Sequence, residues 1–222
     1  MFKSWILGGA LAFGVALSAN SATLVNGGFE AGLTGWTATG YVDVVTNADD
    51  AVITPPHGEH FLPTEGAQFA RLTSGSDAEV FDAYTLLSQD FTIVGQGVLS
   101  GDAAFLAFDA LPYDDNAMVR VFNATTNQVV FASSVTAVGD YGHTHWTGFQ
   151  TGLLSAGDYT FEAGVRDGTA AGYPSQLLID HISVAAGASA APEPSTWGLM
   201  LSGFGLIGAM LRRRRPRRVL TN

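Results

Sequence analysis

Residues 158–166, DYTFEAGVR, alternate apolar and polar side chains. Tyr159, Phe161, Ala163 and Val165 point one way, and Thr160, Glu162, Gly164 and Arg166 the other. A period of two is that of a β-strand with one face buried and one wet. The same reading extends outward to companion strands at 41–45, 67–72, 84–94, 102–108, 116–122, 128–135, 145–152 and 176–184. Turn chemistry separates them at Gly95-Gln96-Gly97, Leu111-Pro112-Tyr113-Asp114-Asp115, Thr126-Asn127, Gly139-Asp140 and Ala156-Gly157-Asp158. Short strands at this spacing, with no capped helical period between them, predict an all-β sandwich over residues 23–186.

The chain has 222 residues and no Cys, which excludes disulfides, thiolate metal sites and a cysteine nucleophile. Residues 23–190 hold three arginines against nineteen acidic residues, a formal charge of −16. So acidic a region repels phosphate backbones, and nucleic acid is excluded as its partner. The two ends read as addresses. Residues 1–22 place Lys3 before an apolar run from Ile6 to Leu17 and a small-residue end, the pattern of a secretory signal that signal peptidase removes. Residues 187–196 form a Gly/Ala/Ser/Pro linker. Trp197 to Leu211 is apolar without a charge, and a tail over 212–222 carries Arg212, Arg213, Arg214, Arg215, Arg217 and Arg218. Fifteen helical residues reach roughly 22 Å, short of a ~30 Å hydrocarbon core, and snorkelling arginines would extend that reach. The arginines would stay cytoplasmic, giving a transmembrane-like helix and a chain anchored outside the cytoplasmic membrane.

Pro192-Glu193-Pro194, followed by Ser195-Thr196, one apolar helix and an arginine cluster, resembles a PEP-CTERM sorting signal. The resemblance implies recognition by an exosortase, a membrane-embedded cysteine transpeptidase of bacteria that make exopolysaccharide. It also implies cleavage near Pro192–Pro194 and delivery to the cell surface or extracellular matrix. Leu24-Val25-Asn26-Gly27-Gly28-Phe29-Glu30 with Gly35-Trp36 resembles the opening strand of galactose-binding-like jelly rolls, a fold that includes many carbohydrate-binding modules. Residues 177–184 (LLIDHISV) resemble their closing strand, 156–161 the one before it, and 88–92 an earlier one. Within that resemblance, Glu30 and Asp180 correspond to acids that often hold a structural calcium where the chain ends meet. His181 stands where a second acid is common, and calcium wants six to eight oxygens.

Other residues invite weaker readings. Asp109, Asp114, Asp115 and Asn116 could supply oxygens to calcium, though Asp and Asn also favour solvated turns for backbone reasons. His57/His60 and His143/His145 are close pairs; the second, spaced i, i+2, would share one face of a strand and could serve zinc. No Cys or spaced carboxylate completes a tetrahedron, so solvated histidines are expected. Aromatic rings stack on sugar C–H faces, which makes Trp36, Tyr41, Tyr84, Tyr113, Tyr141, Trp146 and Tyr173 candidates. Trp36 and Trp146 adjoin strand starts and read as core, whereas Tyr113, Tyr141 and Tyr173 sit in loops and suit an exposed platform. No nucleophile elbow, zinc-protease helix or phosphate loop occurs, so an enzyme is not expected. The reading is an exported, non-catalytic jelly-roll protein that binds or organises exopolysaccharide. A purely structural envelope or matrix protein is the alternative, with a secreted hydrolase behind it.

Overall fold

The computed structural model describes residues 24–50, 58–75, 83–168, 173–187 and 194–213. The signal segment, His57, Pro192-Glu193 and Arg214 to Arg218 lie outside them. Two units result, Met1–Gly187 and Ala188–Asn222. The first contains β1 (Thr37–Thr39), β2 (Tyr41–Val45), β3 (Ala48–Asp49), β4 (His60–Phe61), β5 (Phe69–Thr73), β6 (Tyr84–Leu106), β7 (Asn116–Phe122) and β8 (Asn127–Ser134). A single helical turn α1 (Val135–Val138), then β9 (Thr147–Gln150), β10 (Leu154–Arg166) and β11 (Gln176–Ala186) complete it. The second unit contains α2 (Pro194–Arg213).

β6 organises the jelly roll. Its first half lies between β1 and β10, and its second half between β9 and β11. One layer is therefore β1-β6-β10-β7-β8, and the other β2-β5-β11-β6-β9, all antiparallel. The strand changes layers at Gly95-Gln96-Gly97, where Gly95 has φ 111°, a conformation that glycine adopts without steric cost. The two strands expected at 84–94 and 102–108 are thus one strand of 23 residues. The glycine pair bends it without ending its ladder. Ala156-Gly157-Asp158, expected as a turn, is likewise a bulge inside β10, with the register shifting between Ser155 and Gly157. The opening segment departs the other way. Residues 24–35 contain no strand and are wound in turns. Asn26 donates its amide to Gly32 and Thr34 carbonyls, and Gly27 accepts from the Ile182 N–H.

The alternation of 158–166 does what its period requires. Tyr159, Phe161, Ala163 and Val165 are buried between the layers with Leu87, Phe105, Leu177 and Ile179. Trp36 lies tilted against Phe29 and meets Phe161 edge-on at 5.5 Å, a core residue as its place at a strand start suggested. The outer side of β10 carries Glu162, paired to Arg120 on β7 at 2.7 Å. The second layer has a further cover. Phe69, Ala104, Leu106 and Leu178 pack outward against Ala48 and Phe61 of the β3–β4 pair, with Trp146 at the edge. Being buried on both faces, β11 reads as a nearly continuous apolar run, LLI, before Asp180.

The helix expected over 197–211 is present as α2, three residues longer at its start and two at its end. Among the described residues, no helix is long and apolar enough to cross a membrane. Ser195 and Thr196 enter the helix at one end and Arg212-Arg213 at the other, so its apolar run stays at fifteen residues, the length read from the sequence.

Candidate functional site

One end of the sandwich gathers most of its tyrosines. At this end β2, β6, β7 and β11 begin, and β5, β8 and β10 finish. The strand ends are stitched together, Thr85 Oγ1 donating to Thr73 O and Ser74 N to Ser175 O. Tyr41 and Tyr84 sit at strand starts there. Tyr113 belongs to the β6–β7 loop, Tyr141 to the loop after α1, and Tyr173 to the segment before β11. The loops hold one another. Tyr141 N–H donates to the Asp109 carbonyl, Leu111 N–H to Asp140 Oδ1 at 2.9 Å, and Phe108 N–H to Ser175 Oγ at 3.1 Å. Five of the six tyrosines in the chain thus share one end, and Tyr159 alone is core. Tyr41, Tyr113, Tyr141 and Tyr173 are 51, 41, 36 and 62% exposed, which leaves ring faces open to a ligand.

Beneath these loops two of the acids are not solvated as the sequence suggested. Asp109 and Asp115 are buried, as is Asp167 across from them. The loop folds back over the sandwich end, and its carboxylates accept backbone N–H groups that have no strand partner. Asp109 Oδ1 accepts from Ala110, Asp114 Oδ1 from Thr136 and Asp115 Oδ1 from Gly168. Burial pushes the Asp115 carboxyl above its usual 3.8, and the charges of Asp167 and Asp109 add to the rise; hydrogen bonds from Ser175 and Gly168 oppose it.

Glu30 and Asp180 meet on one segment, 64–68, which they hold from its two ends. Asp180 is fully buried. Its Oδ2 accepts from Thr64 N at 2.7 Å and Glu65 N at 3.0 Å, and the Thr64 hydroxyl lies between it, at 3.1 Å, and Asp102 Oδ2, at 2.9 Å. Its Oδ1 accepts from His181 N at 2.7 Å, where β11 bulges and His181 takes φ 57°. Glu30 Oε1 accepts from Ala67 N at 2.7 Å and Gln68 N at 3.0 Å. Desolvation raises the Asp180 carboxyl above 3.8 against these bonds. Three of the four carboxylate oxygens already have N–H partners. Calcium here would draw on Glu30 Oε2 and on spare lone pairs, with its remaining oxygens coming from backbone carbonyls, nearby carboxylates and water.

The histidines are the larger surprise. His143 and His145 do share a face, with ring centroids 5.6 Å apart, and a carboxylate does join them: Glu59, more than eighty residues upstream. No periodicity links positions so distant, and only the β3–β4 pair folding over the second layer brings them together. His60 instead pairs with Asp49 at 2.5 Å. Trp146, half-buried at the edge of the outer cover rather than in the core, is held edge-on to Phe69 and donates to the Leu62 carbonyl.

Comparison with known proteins adds the following. Residues 190–215 match the PEP-CTERM protein-sorting motif, so the chain carries the mark of an exported, sorted protein. No curated protein matches the chain. Among solved structures it is similar to the carbohydrate-binding module TmCBM61, determined with β-1,4-galactotriose, at 16% identity over 74% of this chain and 97% of that one, TM-score 0.45. It is similar to the CBM22-1 xylan-binding domain of Paenibacillus barcinonensis Xyn10C at 20% identity over 73% and 93%, TM-score 0.39. The K3 adhesin domain of Lys-gingipain from Porphyromonas gingivalis aligns at 16% identity over 76% and 100%, TM-score 0.42.

Proposed function

From a chain that carries the PEP-CTERM sorting motif, we propose a cell-surface or matrix protein whose jelly roll binds extracellular polysaccharide through its tyrosine-bearing end, without catalysis. The carrying observation is the convergence of Tyr113, Tyr141 and Tyr173 on loops that are hydrogen-bonded to one another or to the strands beneath. Tyrosine offers a flat apolar face for sugar C–H groups and a hydroxyl for their oxygens. Asp114 and Asp140 flank those rings and can accept from sugar hydroxyls. The resemblance of residues 88–92, 156–161 and 177–184 to galactose-binding-like modules points the same way.

Delivery is the second half of the reading. α2 exposes Leu199, Leu201, Phe204, Leu206 and Met210, an apolar surface that suits a lipid bilayer or a membrane-embedded partner. Its glycines, Gly203, Gly205 and Gly208, leave open space where a second helix could approach closely. An exosortase cutting near Pro192-Glu193-Pro194 would release the sandwich from this temporary anchor. Mass spectrometry of the surface-delivered protein tests this: a C-terminus near Glu193–Ser195 is expected, and an intact Asn222 would overturn it. Retention of the chain on its host's insoluble exopolysaccharide tests the binding half.

A further inference from the structure

The outer cover of the second layer holds a side-chain group that the proposed function does not use. Glu59, just before β4, and His143 and His145, in the segment between α1 and β9, bring one ligand atom each within 4.8 Å of one another. His143 Nε2 lies 2.9 Å and His145 Nδ1 2.5 Å from the same Glu59 oxygen, Oε2. The other nitrogen of His143, Nδ1, lies 3.1 Å from Asp50 Oδ2, which also accepts the Glu59 N–H at 3.1 Å.

That arrangement has an electrostatic consequence. A neutral imidazole carries one N–H, and here both ring nitrogens of His143 face carboxylate oxygens. With the hydrogen on Nδ1 and donated to Asp50, Nε2 aims a lone pair at the lone pairs of Glu59. The pair is favourable only with a positive centre between them. We propose that this centre is a divalent transition-metal ion, zinc by ligand type, held by Glu59 Oε2, His143 Nε2 and His145 Nδ1. Two imidazoles and one carboxylate suit zinc, while calcium would take oxygens alone. Asp50 then has the part that carboxylates play behind metal-bound histidines, fixing the tautomer and orientation of the ring.

The surroundings are built for it. The Asp50 side chain is only 4% exposed, and its Oδ1 has no partner among the described residues. The His143 ring is wedged edge-on against buried Phe61 at 5.7 Å, and its backbone is bridged to Leu106 at the end of β6. His145 is 83% exposed, so solvent reaches the site and can supply a fourth ligand. Tetrahedral zinc at ~2.0–2.2 Å from each ligand needs them roughly 3.3 Å apart. His145 must therefore swing outward by under about 1 Å, a movement its exposure permits. The ion would clip the β3–β4 pair to the segment after α1, across more than eighty residues of chain.

The test uses the tag-free full chain in detergent, stripped of metal and dialysed against Zn2+ or Co2+, with bound metal counted by mass spectrometry. One equivalent per chain is expected, with a cobalt visible band of tetrahedral intensity. His145→Ala removes an exposed ring and no core contact, so its fold is retained; it should weaken zinc by at least about tenfold, as should Glu59→Gln. Asp50→Asn should keep the stoichiometry and weaken affinity by about 10–100-fold. Less than one equivalent in the wild type, or unchanged affinity in His145→Ala and Glu59→Gln, overturns the proposal. So does displacement of zinc by equimolar Ca2+.

Discussion

Replacing Asp180 by Ala should cost the sandwich a large part of its stability. The carboxylate is fully buried and accepts from three backbone N–H groups at 2.7 to 3.0 Å, while the Thr64 hydroxyl is shared between it and Asp102. Alanine leaves the N–H groups of Thr64, Glu65 and His181 without that acceptor. Each bond to a charged acceptor contributes about 1.5–3 kcal/mol, and relief of the buried charge offsets much of the sum. A net loss of about 3 kcal/mol is expected at neutral pH. At roughly 2–4 °C per kcal/mol for a domain of this size, the melting temperature should fall by about 6–12 °C. Asp180→Asn is an instructive partner. Both oxygens face N–H donors, so an amide can satisfy only one side and sets its own NH2 against the other. The Asn variant should therefore lose stability too, by about half as much. Thermal melts followed by circular dichroism measure both. A shift of under about 2 °C for Asp180→Ala would refute the reasoning, since it would mean that residues 64 and 65 are not held by this carboxylate.

Asp115→Asn keeps an oxygen for the Gly168 N–H and removes a buried charge beside Asp109 and Asp167. Because the folded carboxyl is raised above 3.8, its contribution to stability is complete below that pH and is lost as pH rises through the folded value. The stability of Asp115→Asn relative to wild type should therefore grow from pH 4 to pH 7.5 in chemical denaturation; a flat or falling difference contradicts this. Gly27→Ala drives a Cβ into the Ile182 carbonyl oxygen, so the opening segment must leave β11, at a cost of more than ~2 kcal/mol in the same melts. An unchanged melting temperature would show that the Gly27–Ile182 contact is not made. Calcium at Glu30 and Asp180 remains our proposal. It predicts a melting temperature that drops with chelator in wild type and responds less in Glu30→Gln, and a melt indifferent to chelator removes it.

The parts of the fold that were legible are those with local causes. β10 announces itself by alternation, and β7 begins and ends where its flanking turn residues place it. β6 does not, because Gly95-Gln96-Gly97 carries the composition of a turn while the ladder runs through it. Whether glycines end a strand or bend it depends on partners supplied by β10 and β11, far along the chain. β3 and β4, two residues each, are too short to leave a period. The site divides in the same way. Tyr113, Tyr141 and Tyr173 were recognisable as loop aromatics from their Asp and Gly neighbours, but their common end follows from strand order. Glu59 was invisible as a partner of His143 and His145, because that contact exists only once the β3–β4 pair covers the second layer.

The central claim is tested most directly by the affinity of the full chain for matrix polysaccharide, compared with a Tyr113→Ala, Tyr141→Ala, Tyr173→Ala triple variant. All three rings are at the surface, so the variant should melt with the wild type. At about 0.5–1.5 kcal/mol per stacked ring, its dissociation constant should rise by at least tenfold. A wild type that retains no polysaccharide, or a triple variant that binds as tightly as the wild type, would contradict the account.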